Sequence, residues 1–331
     1  MKLTLNFAEF TSSWKTMHAF FTQVERIPSD QSSFICKYGE FPEASEIQPF
    51  IDACTEVLAV AESLGNPTSL KESIAKNPSY LSSNSAPEET YANIVWLAGL
   101  NSNAAQSIAH TYTDLQQILS PSEGTIKQRA ENLKAAFIGN TGLIPIIVKI
   151  KGEAVLLDKK STPLMKKLAD TFSIFGKTTL INQANQEIGA LETSISNLKV
   201  RCDDAEKAWK DAWISKEKAK NKYEEILDEL HTKEKSCALK TQFINDLEGF
   251  FVAGNDMLQA SMDVNNSINA IGRLFGEQRD AYMNICRISS DEQLSDYAWI
   301  AKAFGLPGSV SQWNDVQNSA KSFVEQSLIS L

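Results

Sequence analysis

No proline falls between Pro163 and Pro307, so 143 consecutive residues carry nothing that forbids a helix. Cysteine is also sparse. The five (Cys36, Cys54, Cys202, Cys237 and Cys286) are scattered, odd in number and without a C-x-x-C pair. Neither a disulfide framework nor a zinc site is implied, and they read as structural thiols. Positive charge is in short supply: 32 Lys and Arg stand against 41 Asp and Glu, a formal net charge of −9. A nucleic-acid partner is therefore not expected, since such binding needs clustered cations.

Catalytic signals are missing as well. The three histidines, His18, His110 and His231, lie in separate helical segments with no partner at metal or triad spacing. There is no H-E-x-x-H and no G-x-S-x-G. Gly176, Lys177 and Thr178 stand in the order of a phosphate-binding loop, but position 171, where its first glycine belongs, is Thr171. The reading is a non-enzyme with no catalytic residue, cofactor or metal. The start, "MKLTLNFAEFTSSW", has no uninterrupted apolar stretch of about 7 to 15 residues, so no conventional signal peptide is expected. No run of about 18 consecutive apolar residues marks a standard membrane span.

What is present is helical periodicity. Phe10, Trp14, Met17, Phe20, Phe21 and Val24 recur at spacings of three and four. Residues 28 to 42 read as loop, and "PEASEIQPFIDACTEVLAVAESLG" as a helix closed by Gly65. A polar loop follows. Ser85 with Glu88 resembles a capping box opening a helix to about Leu119; Pro121 and Gly124 interrupt, and another helix runs to Phe137 or Ile138. Beyond Gly249 helical pattern resumes, with a turn near "GFFVAGN" expected to fold it back. Short helices flank Pro307 and Gly308.

The strongest regular signal starts at Ala184. Ile188, Leu191, Ile195, Leu198, Cys202, Ala205, Trp209, Ala212, Lys216, Ala219, Tyr223, Ile226 and Leu230 repeat in strict 4-3 steps, and only Lys216 breaks the seam. This predicts a coiled-coil rod of roughly 70 Å at 1.5 Å per residue. Whether the seam closes within one chain or between chains stays open.

One stretch stands apart: "FIGNTGLIPIIVKIKGEAVLL", residues 137 to 157. Ile144, Ile146, Val148 and Ile150 alternate with Ile147, Lys149 and Lys151, and Gly152 permits a turn before "EAVLL". This predicts a short β-hairpin whose first strand lies at an edge or begins after Pro145. Lys149, Lys151, Lys159, Lys160, Lys166 and Lys167 make a basic island in an acidic chain. Basic residues beside an apolar tip favour an anionic membrane surface. A hairpin capping the rod for stability alone is the other reading.

The expected architecture is all-α: an elongated helical bundle or coiled-coil rod with a small apolar head, a short β-hairpin or hydrophobic loop, in mid-chain. Residues 1–130 and 183–331 form tail and stalk, and 131–182 the head with amphipathic flanks. A helical tail holding both ends, long coiled-coil helices and a mid-chain apolar tongue together resemble the α-helical pore-forming toxins of the ClyA superfamily. The layout looks most like the B subunit of the binary xenorhabdolysin-type toxins. The resemblance implies a secreted cytolysin component without a classical signal peptide, monomeric in solution. It implies assembly with a second toxin subunit into a hetero-oligomer on the target-cell membrane, where head helices contribute to a pore. Carried onto this sequence, the membrane-facing candidates are Leu143, Ile144, Ile146, Ile147, Val148, Val155, Leu156 and Leu157. Lys149, Lys151 and Glu153 interrupt that run, which favours a subunit that needs its partner. The competing class is a non-lytic coiled-coil structural or adaptor protein.

Overall fold

The computed structural model describes residues 7–42, 44–175, 179–306 and 308–329. Among these the fold is all-α, with no strand. The helices are α1 (Phe7–Glu25), α2 (Gln31–Tyr38), α3 (Ile47–Leu64), α4 (Pro67–Lys76), α5 (Thr90–Ile118), α6 (Ile126–Ile138), α7 (Leu143–Phe175), α8 (Leu180–Asp211), α9 (Lys216–Ile288), α10 (Asp291–Leu294), α11 (Tyr297–Phe304) and α12 (Gly308–Ile329). Single 3₁₀ turns occupy Ala44–Glu46 and Pro121–Glu123. Gly176, Lys177 and Thr178, with their phosphate-loop order, lie outside the described residues, as does the opening "KLTLN".

Local chemistry sets most boundaries. Asn66 and Ser69 form a reciprocal capping box at the start of α4, with Pro67 as its first residue; Thr125 and Gln128 do the same for α6, and Ser290 and Gln293 for α10. Gly65 leaves α3 in the left-handed region at φ 72°. The box expected from Ser85 and Glu88 does not form. Pro87 disfavours helix at the residue before it, so α5 begins at Thr90, behind Glu89 and without a side-chain cap. The loop expected over 28 to 42 contains α2, capped by the Asp30 carboxylate, which accepts from the Ser33 N–H.

Three larger expectations are corrected. The β-hairpin of residues 143 to 157 is the first half of α7. Its buried positions, Leu143, Ile147, Ile150, Ala154, Leu157, Ser161, Met165, Leu168, Thr171, Phe172 and Phe175, keep helical spacing throughout. The alternation of Ile144, Ile146, Val148 and Ile150 is a four-term coincidence inside that longer period. Gly152 makes no turn; it sits on the exposed side of the helix. The small β-type apolar head is therefore absent among the described residues. Second, the rod expected over 184 to 230 is broken at 212–215, where the chain reverses from α8 into α9. Third, the fold-back expected near residues 249 to 255 does not occur, because α9 is continuous to Ile288.

The chain divides into two compact units, Met1–His18 with Val60–Lys167 and Met257–Leu331, and Ala19–Ala59 with Leu168–Asp256. In the first, α5 packs along α12, with the Ser102 hydroxyl donating to the Gln317 carbonyl at 3.4 Å. Phe7 stacks on Phe323 and Phe10 meets it edge-on, with ring centroids 5.5 and 5.3 Å apart, and Trp14 meets Tyr91 at 4.9 Å. Phe137, Tyr282 and Phe304 close the core around Tyr112, whose hydroxyl accepts from Gln278 at 2.8 Å.

The second unit is built on aromatics. Phe34, Tyr38, Phe41 and Phe50 gather around Phe243, while Phe20, Phe172 and Phe175 surround Phe250. Edge-to-face pairs dominate the first group, which fixes ring positions beyond what area burial alone would do.

Candidate membrane-contacting surfaces

Helix α7 carries all eight residues singled out for membrane contact, and the fold sorts them by face. Leu143, Ile147 and Leu157 are buried, Ile144 and Ile146 are half-buried, and Val148, Val155 and Leu156 are exposed. A helix that turns about 100° per residue separates neighbours such as Leu156 and Leu157, which a strand reading had grouped together. Among the described residues, Ile126–Ser173 holds the one helical stretch with an 18-residue window long and apolar enough to cross a bilayer, and 33% of that window is buried.

Around Ala154 to Ser161 the packed face of α7 meets α9 through small and polar residues, whereas Phe172 and Phe175 pack on Phe250 farther along. A β-carbon placed on Gly272 would lie 3.6 Å from the Ala154 Cβ, an ordinary contact that reflects a close helix approach. The Ser161 hydroxyl bonds the Asn265 side chain at 2.9 Å, and the Asn269 amide donates to Asp158 at 3.0 Å. The lysines at its flanks behave differently. Lys149 lies over the Trp96 ring at 5.9 Å, Lys160 donates to the Glu88 carbonyl, and Lys159 is exposed. Lys151 runs beside Gly276, where the missing side chain leaves room for its alkyl stem.

Part of the seam closes within this chain. Leu198 and Cys202 on α8 meet Ile226 and Leu230 on α9 in one buried cluster, flanked by Ile195, Ala205, Tyr223 and Leu227. Trp209 stacks on Tyr223 with centroids 5.5 Å apart, and Lys199 pairs with Glu234 at 3.1 Å. Ile188 and Leu191 lie half-buried farther along α8. The one polar position in the predicted repeat, Lys216, is the first residue after the turn.

That turn is the surface that sequence reasoning missed. Trp213 is 93% exposed and Ile214 81%. From Asp203 to Glu225 no residue is buried, so the hairpin end stands clear of the core of its unit. Ser215 holds a left-handed backbone at φ 70°, uncommon for a residue with a β-carbon, and its carbonyl accepts the Ala219 N–H to start α9.

At the other end of the hairpin, Lys240 is almost wholly buried. It pairs with Glu187 at 3.0 Å, donates to the Glu40 carbonyl and sits 3.4 Å from the Phe41 ring centroid. Burial pulls its ammonium below the usual lysine range, and Glu187 draws it part of the way back. Among the described residues no group of three His, Cys, Asp or Glu side chains could hold a metal ion, and His18, His110 and His231 lie on three different helices.

No protein-family model and no curated protein matches the chain. Solved structures do. The Bacillus cereus HblL1 toxin component matches at 12% identity over 97% of each chain, with a TM-score of 0.44. The soluble AhlC of the tripartite alpha-pore forming toxin AHL from Aeromonas hydrophila matches at 11% identity over 94% of this chain and 97% of its own, TM-score 0.42. XaxA from Xenorhabdus nematophila matches at 11% identity over 97% and 96%, TM-score 0.34.

Proposed function

We propose that this chain is a component of a multi-subunit α-pore-forming cytotoxin: released from the producing cell, it assembles with a second toxin subunit on a target membrane, and α7 is the helix that enters the bilayer. The observation that carries this is α7 itself. It is long enough to cross a hydrocarbon core, since 33 residues span about 50 Å. Between Ala154 and Ser161 its packed face meets α9 through glycine, alanine, serine and asparagine contacts that a partner helix could replace. Its other side already exposes Val148, Val155 and Leu156. The charges at Lys149, Lys151 and Glu153 need an aqueous lumen or a partner's polar groups once inserted, which supports joint action with a second subunit. The adaptor alternative loses part of its main argument, because part of the α8–α9 seam is satisfied within the hairpin.

The test is a staple. Ala154→Cys with Gly272→Cys, in a Cys36→Ser, Cys237→Ser background, places two thiols at a separation suited to a disulfide. Dye release from vesicles is then measured with this chain alone and with the product of the neighbouring gene. Leakage that is absent when oxidised and restored by reductant supports α7 release. Equal leakage in both states removes α7 from the mechanism. Absence of both leakage and vesicle binding in every pairing favours the adaptor.

A further inference from the structure

We infer that the α8–α9 turn is a docking point for an anionic lipid surface, in which Trp213 and Ile214 enter the headgroup layer while neighbouring lysines meet lipid phosphates. The inference deepens the pore-former reading and rests on it for the presence of a membrane. It assigns first contact to a segment distinct from α7.

Two independent features meet at this turn. The first is apolar exposure: an indole and a branched aliphatic side chain, 93% and 81% exposed, are consecutive at the reversal of a helical hairpin. Burial elsewhere in the chain does not account for them. Trp favours the membrane–water boundary, where its ring sits among acyl carbonyls and its N–H finds an acceptor. The second is charge. Between positions 207 and 222 the sequence has six lysines and two carboxylates; counting also Glu206 and Glu224, which pair with two of those lysines, the local excess is two positive charges in a chain of net −9. Lys210 and Lys220 lean on Glu206 and Glu224 of their own helices, whereas Lys207, Lys216, Lys218 and Lys222 have no carboxylate partner among the described residues. Exposed lysines around an apolar tip attract anionic lipid while the tip inserts.

The shape argues for a plane rather than a pocketed partner. The apolar pair stands fully out in the turn itself, with no buried residue from Asp203 to Glu225 and cations on the helices to either side. Trp213 and Ile214 fall within the four-residue reversal between α8 and α9, next to Ser215 at φ 70°, and so at the end of the hairpin and not along its side.

The experiment is flotation of the full-length chain with vesicles of phosphatidylcholine alone, and with roughly a third phosphatidylglycerol. The wild type is expected to float with the anionic vesicles, and less so as salt rises. Trp213→Ala/Ile214→Ala and, separately, Lys216→Glu/Lys218→Glu are expected to lower partitioning about tenfold, with an unchanged circular dichroism spectrum. Variants that float like the wild type overturn the tip assignment and leave the pore-former reading standing. A wild type that binds neither vesicle overturns that reading as well. Equal binding to both vesicle types overturns the anionic preference. Variants that alter self-association on gel filtration while floating normally identify the tip as a contact between copies, which also overturns the proposal.

Discussion

The ring of Phe172 fills the space that a β-carbon on Gly254 would need. The glycine is what lets α9 approach α7 here, beside Phe250 and Phe175. Gly254→Ala is therefore expected to destabilise by about 1–3 kcal/mol, because an aromatic core ring cannot yield by so much. Gly249 is the control: nothing lies within 4 Å of a β-carbon there, so Gly249→Ala should stabilise by about 0.5–1 kcal/mol. Urea unfolding of the two variants should give opposite signs, and equal signs would refute the packing argument.

Lys240 and Glu187 form the buried ion pair of the second unit, with side chains 4% and 28% exposed. Removing one partner leaves a charge stranded in low dielectric. Lys240→Met, which keeps the stem's volume, should cost about 2–4 kcal/mol, and Glu187→Gln about 1–3. The double replacement should cost less than the sum of the two, so a double-mutant cycle by chemical unfolding reads the coupling directly.

Cys54 gives a pH-dependent signature. Burial pushes its thiol from 9.0 up to about 12. The folded-state value is raised for an acid, so the unfolded chain releases its proton first as pH climbs. Its stabilising contribution is intact below pH 9 and is lost progressively between 9 and 12. Between pH 8 and 10.5 the loss from this group is about 2 kcal/mol. Comparing wild type with Cys54→Ala at both values isolates it, since the cavity cost is the same at each. A variant with an unchanged pH slope would show that the thiol is solvated.

Much of this was legible in the sequence where local chemistry decides. Gly65, Pro121 and Gly124 marked breaks that the fold keeps, and the apolar spacing from Phe10 to Val24 marked the buried face of α1. The 4-3 repeat includes Leu198, Cys202, Ile226 and Leu230, which share one buried cluster of α8 and α9. It could not name the topology, because a heptad pattern reports which side of a helix is covered and not by which segment. The reversal at 212–215 uses Ser215 rather than glycine or proline, so no breaker announced it. Lys216 was the only trace. The strand reading of 143 to 157 failed because β-branched residues dominate a window too short to separate period 2 from period 3.6.

The hairpin seam carries its own test. Trp209 stacks on Tyr223 at an interplanar angle of 18°, three residues before the turn and eight after it, with no buried residue between Asp203 and Glu225. Tyr223→Ala should fray the tip locally, costing about 0.5–1.5 kcal/mol. Hydrogen exchange should then quicken in residues 203–225 while the Leu198, Cys202, Ile226 and Leu230 cluster stays protected. Loss of protection through that cluster would mean the hairpin unfolds as one unit.

Leu156 and Leu157 offer the sharpest separation of stability from function. They are consecutive, yet Leu156 is 60% exposed and Leu157 1%. Leu157→Ala removes core volume and should cost about 2–5 kcal/mol. Leu156→Gln removes nothing the folded chain uses, so its stability should stay within about 0.5 kcal/mol of wild type. If α7 enters a bilayer, however, the exposed face must meet hydrocarbon or a neighbouring subunit, and an uncompensated amide there is costly. Leu156→Gln is then expected to reduce partner-dependent dye release several-fold with an unaltered melting curve. Full leakage from this variant would place the exposed face of α7 against water in the assembled state, and so restrict any membrane contact to the stripe now packed on α9.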